Sequence, residues 1–179
     1  LSNSGASGTS NSIAISNTNI FVAGSLTFVD KFTLSGTTLS TFSKLYGILN
    51  SVAVNNSSVV IAVGEGGNIF KSTNSGTDWS GILQEPNFFS LNSIAKKPNG
   101  NIFAAGENGT IISSSDDGVS WNQVASPSTS FINKIFFTND NTGWYAAGKY
   151  LYKTTNGGTS WSVQYTNSTS TYSHLDVRF

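Results

Sequence analysis

Three eight-residue stretches repeat one pattern along the chain: Ser72-Thr-Asn-Ser-Gly-Thr-Asp-Trp79, Ser114-Ser-Asp-Asp-Gly-Val-Ser-Trp121 and Thr154-Thr-Asn-Gly-Gly-Thr-Ser-Trp161. Each reads Ser/Thr-x-Asp/Asn-x-Gly-x-x-Trp, and the tryptophans stand 42 and 40 residues apart. An apolar strand ending in glycine precedes each one: Ile61-Ala-Val-Gly64, Phe103-Ala-Ala-Gly106 and Tyr145-Ala-Ala-Gly148. A fourth such strand, Phe21-Val-Ala-Gly24, lies 40 residues before Gly64. The repeat it opens is degenerate further on. There Phe32 replaces the hydroxyl residue, Leu34 the Asp/Asn, and Gly36-Thr-Thr-Leu39 the Gly-x-x-Trp. Self-similarity at about 40 residues confines the chain to a solenoid or a propeller, because one such unit cannot bury its own apolar face.

Within a repeat the apolar residues alternate with a period of two. The third predicts strands over Leu91–Lys96, Asn101–Ala105, Thr110–Ser114 and Ser120–Val124, separated by Pro98-Asn99-Gly100, Glu107-Asn108-Gly109 and Asp116-Asp117-Gly118. Asn-Gly and Asp-Gly between apolar runs accept the positive φ of a hairpin turn. No stretch keeps a helical stripe. The fold expected is all-β, a β-propeller of about four four-stranded antiparallel blades with a surplus C-terminal strand. Residues 1–10 form a Ser/Gly/Thr tail, 11–171 the propeller (repeats about 11–47, 48–89, 90–130 and 131–171), and 172–179 the extra strand.

The repeated octapeptide resembles the Asp-box, or bacterial neuraminidase repeat, of propellers that include sialidases, secreted glycoside hydrolases and photosystem II assembly factors. The resemblance covers residues 48–165 well and 11–47 loosely. It implies that each box is the turn between the third and fourth strands of a blade, at the periphery. Asp116 would then accept hydrogen bonds from amides of its own turn, with Trp121 packed beneath. Asn74 and Asn156 would keep an acceptor without the charge, and Gly76, Gly118 and Gly158 would supply a φ that other residues avoid. Ser72, Ser114, Thr154, Trp79 and Trp161 complete the three boxes in a structural role. Sialidases of this family clamp a carboxylate with three arginines and use a tyrosine–glutamate nucleophile pair. Arg178 is the single arginine here, so that clamp cannot be built.

Composition narrows the chemistry. Nine Lys+Arg balance nine Asp+Glu, and charged residues make up 10 % of the 179. Such a chain has no electrostatic grip on nucleic acid or an anionic membrane. It has no cysteine for thiolate metals or nucleophiles, and His174 is its one histidine. Glutamates number three: Glu65, Glu85 and Glu107. Glu65 and Glu107 occupy equivalent positions and form the one carboxylate pair a glycosidase could use. Both fall in hairpin turns, where a solvated acid is ordinary, and Lys149 holds the corresponding place in the last repeat. Asn139-Asp140-Asn141-Thr142-Gly143 is oxygen-rich but lacks the distal bidentate glutamate of a calcium loop, and reads as a turn. No cofactor, metal or catalytic residue is expected.

Low charge, few lysines, absent thiols and abundant hydroxyls fit an extracellular or cell-surface protein. The acceptor triplets at Asn55, Asn56, Asn108 and Asn167 fit a glycoprotein. The chain opens at Leu1 without a charged leader, so a secreted product that has shed its signal is expected. Its longest apolar run, Val59–Val63, is far too short to insert in a bilayer.

The four repeats each open with an apolar strand, and a fifth such segment, His174-Leu-Asp-Val-Arg-Phe179, closes the chain. Leu175, Val177 and Phe179 need a sheet edge to pair with. Three placements are open: a clasp in the same ring, the cut end of a larger propeller, or insertion into a neighbouring molecule. The function expected is structural and non-enzymatic, a homo-oligomer or filament joined by terminal strand and tail. The alternative is a secreted glycan- or protein-binding module, and an Asp-box hydrolase carries least weight.

Overall fold

The computed structural model describes residues 9–16, 18–25, 28–35, 37–42, 47–82 and 89–168, with the backbone alone for 38–42. Four sheets result, each of four antiparallel strands in chain order. Blade 1 holds β1 (Ser10–Ile15), β2 (Asn19–Gly24), β3 (Phe28–Thr33) and β4 (Thr38–Phe42). Blade 2 holds β5 (Leu49–Val54), β6 (Val60–Gly64), β7 (Ile69–Ser72) and β8 (Ser80–Ile82). Blade 3 holds β9 (Leu91–Lys96), β10 (Ile102–Gly106), β11 (Ile111–Ser114) and β12 (Asn122–Gln123). Blade 4 holds β13 (Ile132–Phe137), β14 (Gly143–Ala147), β15 (Tyr150–Thr154) and β16 (Ser162–Thr166). The expected all-β fold of four-stranded antiparallel blades is what the chain adopts. The fourth strand of blade 3 is shorter than its alternating residues predict. The surplus strand with Leu175, Val177 and Phe179 lies outside the described residues, as do His174, Arg178, Glu85 and residues 1–8.

The chain divides into two compact halves, Leu1–Ser90 and Leu91–Phe179, each with two blades. The same joint is built in both. Alternation along a strand gives every blade two faces. A front face carries Ile13, Val52, Ile94 or Ile135, and a back face carries Ser12, Ser51, Ser93 or Lys134. In the first half, Phe21, Ala23 and Val29 on the back of blade 1 pack against Leu49, Val52, Val60, Ala62 and Phe70 of blade 2. In the second half, Phe103, Ala105 and Ile111 on the back of blade 3 pack against Ile132, Ile135, Tyr145, Ala147, Tyr152 and Trp161 of blade 4. Removing such rings and branched chains from water is worth about 2 kcal/mol per fully buried side chain.

A polar clamp accompanies each apolar joint. Asn11 Nδ2 donates to the Leu49 carbonyl at 2.9 Å, and the Val52 N–H donates to Ser12 Oγ at 3.2 Å. In the other half, Asn92 Nδ2 donates to the Ile132 carbonyl and the Ile135 N–H to Ser93 Oγ, both at 3.2 Å. These bonds satisfy backbone groups on the innermost strand of the next blade, which that blade's own ladder does not reach.

Pairing in blade 4 corrects one equivalence drawn from the sequence. Gly64 pairs with Leu49 and Gly106 with Leu91, but Ala147, not Gly148, pairs with Ile132. The cause is the β14–β15 connection, which is Gly148 and Lys149 alone, where blades 2 and 3 insert the 3-10 turns Glu65–Gly67 and Glu107–Gly109. A one-residue shift changes faces in a strand. Trp144, rather than Tyr145, therefore holds the back-face position of Phe21 and Phe103, and Gly148 rather than Lys149 follows the strand as Glu65 and Glu107 do.

Gly76 lies at φ +78° and Gly158 at φ +92°, each against a ring of the preceding blade. A Cβ would come within 2.6 Å of Phe21 at Gly76 and 2.7 Å of Phe103 at Gly158. Gly76→Ala and Gly158→Ala should each cost about 2–4 kcal/mol in urea unfolding, from a left-handed backbone plus an overfilled joint. Losses under about 1 kcal/mol would show that neither contact is tight.

Candidate functional site

The three motif turns join β7 to β8, β11 to β12 and β15 to β16, where the resemblance placed them. A short hydroxyl side chain inside the turn binds two of its amides. Ser72 Oγ accepts from the Gly76 N–H at 2.8 Å, Ser114 Oγ from Gly118 at 2.8 Å and Thr154 Oγ1 from Gly158 at 2.9 Å. Each hydroxyl donates to the Asx two residues on: Asn74 Oδ1 at 3.0 Å, Asp116 Oδ1 at 2.8 Å and Asn156 Oδ1 at 2.9 Å. The Asx oxygen in turn accepts the N–H of Asp78, Ser120 or Ser160. Asp116 also accepts from the Ser120 hydroxyl, and these Ser120 bonds, aided by Ser114, hold its carboxyl far below the usual carboxylate range. Trp161 is buried beside Phe137 and Tyr145, Trp121 is partly buried, and the Trp79 indole N–H reaches the Gly76 carbonyl at 3.3 Å. The Ser/Thr hydroxyls and Asx oxygens of the motif thus serve their own turns, while among the described side chains the indole N–H groups of Trp121 and Trp161 are buried without a hydrogen-bond partner.

Glu65 and Glu107 open the equivalent turns between second and third strands, Glu65 exposed and Glu107 partly buried. In the loop 138–142, Asn139 Oδ1 accepts from the amides of Asn141 and Thr142, and Asp140 Oδ1 from the Asn99 amide at 2.8 Å. These oxygens tie blade 4's turn to itself and to blade 3. Among the described residues no three His, Asp or Glu side chains gather as a metal site. No helix there is long and apolar enough to cross a membrane. Of the four acceptor triplets, Asn56 and Asn108 are exposed and Asn167 is partly so. Asn55 is 4 % exposed, which puts its amide out of reach of a glycosylating enzyme in the folded chain.

Three features escaped the sequence reading. The clamp residues are an Asn-Ser dipeptide, Asn11-Ser12 in one half and Asn92-Ser93 in the other, and the sequence shows the same dipeptide at Asn50-Ser51. Lys97 is buried, donates to the Gly157 carbonyl at 3.2 Å, and lies 5.4 Å and 5.6 Å from the ring centres of Phe103 and Phe137. Nearby, Phe103, Ser113, Gln123, Val124 and Gly157–Thr159 line an open cleft of about 280 Å³. Third, one front face and one back face differ from their counterparts. Ile13 and Ile15 on blade 1 are 57 % and 64 % exposed, while Val52 and Ile135 are 5 % and 0 % exposed. On the back of blade 4, Phe136 and Trp144 are stacked at 5.3 Å and only partly buried, with Lys153 over the indole.

The depressed Asp116 carboxyl has a defined acid signature. Its stabilisation is complete above the unfolded value near pH 4 and fades as pH falls toward the folded one. Asn already fills this place in two turns, so Asp116→Asn should keep the fold and make the unfolding midpoint fall less steeply below about pH 4 than in the wild type. Identical slopes would contradict the assignment.

The chain shares its architecture with solved β-propeller structures. It aligns with a catalytically inactive virginiamycin B lyase from Staphylococcus aureus with quinupristin at TM-score 0.78 and 17 % identity, over 94 % of this chain and 59 % of that one. It aligns with YCF48 bound to D1 peptide at 0.57 and 14 %, over 91 % and 68 %. An ancestral GH74 enzyme gives 0.67 and 22 %, over 89 % and 24 %. The chain thus spans between a quarter and about two thirds of these chains, and at such identities the likeness is one of fold. No curated protein matches it. The family model of the DUF6242 beta propeller domain matches residues 36–173. With most of its length matched, the chain belongs to the DUF6242 β-propeller domain family.

Proposed function

We propose that this is a non-enzymatic, extracellular structural protein that assembles with copies of itself into a filament or surface layer, and that its three motif turns are Asp-box turns. One observation carries the reading: on the front face of blade 1 Ile13 is 57 % exposed where Val52 and Ile135 are 5 % and 0 % exposed, and Ile15 on the same face is 64 % exposed. An apolar stripe on an inner strand calls for a cover. A balanced charge of nine against nine removes the long-range repulsion that would keep copies apart. The described polar residues support this by omission of chemistry: the motif oxygens serve turns, and Glu65 and Glu107 head hairpins. Leu175, Val177 and Phe179 remain the candidate terminal joint of the same assembly.

A binding module is the second reading, favoured by the cleft beside Phe103 and by two structural neighbours, one bound to D1 peptide and one with quinupristin. Multi-angle light scattering over a hundredfold concentration range, with negative-stain microscopy, separates the two. Self-assembly predicts a mass that grows with concentration and ordered rods or sheets. A monomer throughout, together with a hit on a glycan array or in a pull-down, favours the binding module instead.

A further inference from the structure

Resting on the binding-module reading and independent of the assembly one, we infer that the cleft beside Phe103 is a binding site for a neutral, hydroxyl-rich ligand, a short sugar. The cleft marks the place where one residue breaks the repeat. On the back face of each blade, a large side chain of the second strand is paired directly with a residue of the third. Phe21 pairs with Lys31, Ile61 with Lys71 and Trp144 with Lys153, but Phe103 pairs with Ser113. A lysine thus stands here in blades 1, 2 and 4, and a serine in blade 3. Where the lysine is present it lies along the blade: Lys153 Nζ is 5.2 Å from the centre of the Trp144 ring, and Lys71 is buried. A hydroxymethyl in place of that long stem leaves its space open on blade 3. The cleft of about 280 Å³ is found there. Phe103 and Ser113 line it together with Gln123, Val124 and, from blade 4's motif turn, Gly158 and Thr159.

The lining selects the ligand. Its side chains carry no charge, so neither an anion nor a cation finds a partner in it. Lys97, beside Phe103, is buried and directs its ammonium to the Gly157 carbonyl. Ser113 offers a hydroxyl and Gln123 a carboxamide, and among the described residues neither side chain is bonded to another. The Thr159 hydroxyl donates to the Asn156 carbonyl at 3.0 Å, which leaves its oxygen to accept. Groups that both donate and accept match the hydroxyls of a sugar, while Phe103 and Val124 add an apolar patch for its C–H groups. An extended peptide fits less well. The edge strand here, β12, is two residues long, too short to pair with an added strand. The volume falls just below the roughly 300–1,000 Å³ of common ligand pockets, which suits a compact ring rather than a chain.

Ser113→Lys tests the site with the repeat's own residue, filling the cleft with a side chain that three blades already accommodate. Saturation-transfer NMR and calorimetry would be run with glucose, galactose, mannose, N-acetylglucosamine and their neutral disaccharides. Glucuronic acid and a peptide of alternating serine and valine serve as the acidic and extended controls. At least one neutral sugar should bind the wild type at millimolar or tighter affinity. Ser113→Lys should weaken that binding about tenfold or more, and Gln123→Ala about threefold or more. Circular dichroism confirms folding, and Gln123→Ala, on an exposed edge strand, keeps the test decisive if Ser113→Lys unfolds. Full affinity in both variants would put the sugar elsewhere: this inference falls and the binding-module reading stands. Tighter binding of glucuronic acid or of the peptide than of every neutral sugar would overturn the ligand class. No binding of any of these overturns the inference, and the binding-module reading falls with it only if the pull-down is silent as well.

Discussion

A phenylalanine of one blade seated against a glycine of the next is the contact on which each half of the molecule depends. Phe21 meets Gly76 and Phe103 meets Gly158, and in both cases the glycine lacks the Cβ that would strike the ring. The rest of the motif turn keeps that notch in place. Its hydroxyl and Asx oxygens consume the amides of a tight left-handed turn, so the backbone approaches the ring at a fixed distance. Lys97 closes the same corner in the second half, lying near Phe103 and Phe137 while bonded to the turn's own Gly157 carbonyl. The octapeptide is therefore as much an interface element as a turn.

Two independent systems, apolar and polar, thus connect adjacent blades. The apolar one supplies most of the free energy, and the Asn-Ser clamp sets register by tying particular backbone groups across the joint. A unit built this way has one face made to receive and one made to insert. Each half makes one such joint, the back face of blade 1 against the front face of blade 2 and the back face of blade 3 against the front face of blade 4.

Much of this was legible in the residues. The 40-residue period, the two-residue alternation and the Asn-Gly and Asp-Gly turns led to four-stranded blades, because each reflects local chemistry repeated several times. The motif turns were found for the same reason. Trp144 was missed because the shortened Gly148–Lys149 connection moves blade 4 by one residue, and the eye aligns glycines before it aligns ladders. The Asn-Ser clamp hid in a chain where Asn and Ser are common. The burial of Lys97 and of Asn55 was not legible, since burial depends on packing that no local pattern names. Ile13 and Val52 look alike in sequence for the same reason; what differs is whether anything covers them.

Each joint inside the chain depends on one blade's back face being shaped for the front face of the next. Hydrogen–deuterium exchange followed by mass spectrometry on Gly158→Ala reads this at the strands themselves. Overfilling the Phe103 contact should speed exchange together in β10 (Ile102–Gly106) and in β13–β14 (Ile132–Phe137 and Gly143–Ala147), leaving β1 and β2 of the other half unchanged. Exchange that stays at the wild-type rate in both blades, or that rises in one blade without the other, would contradict it.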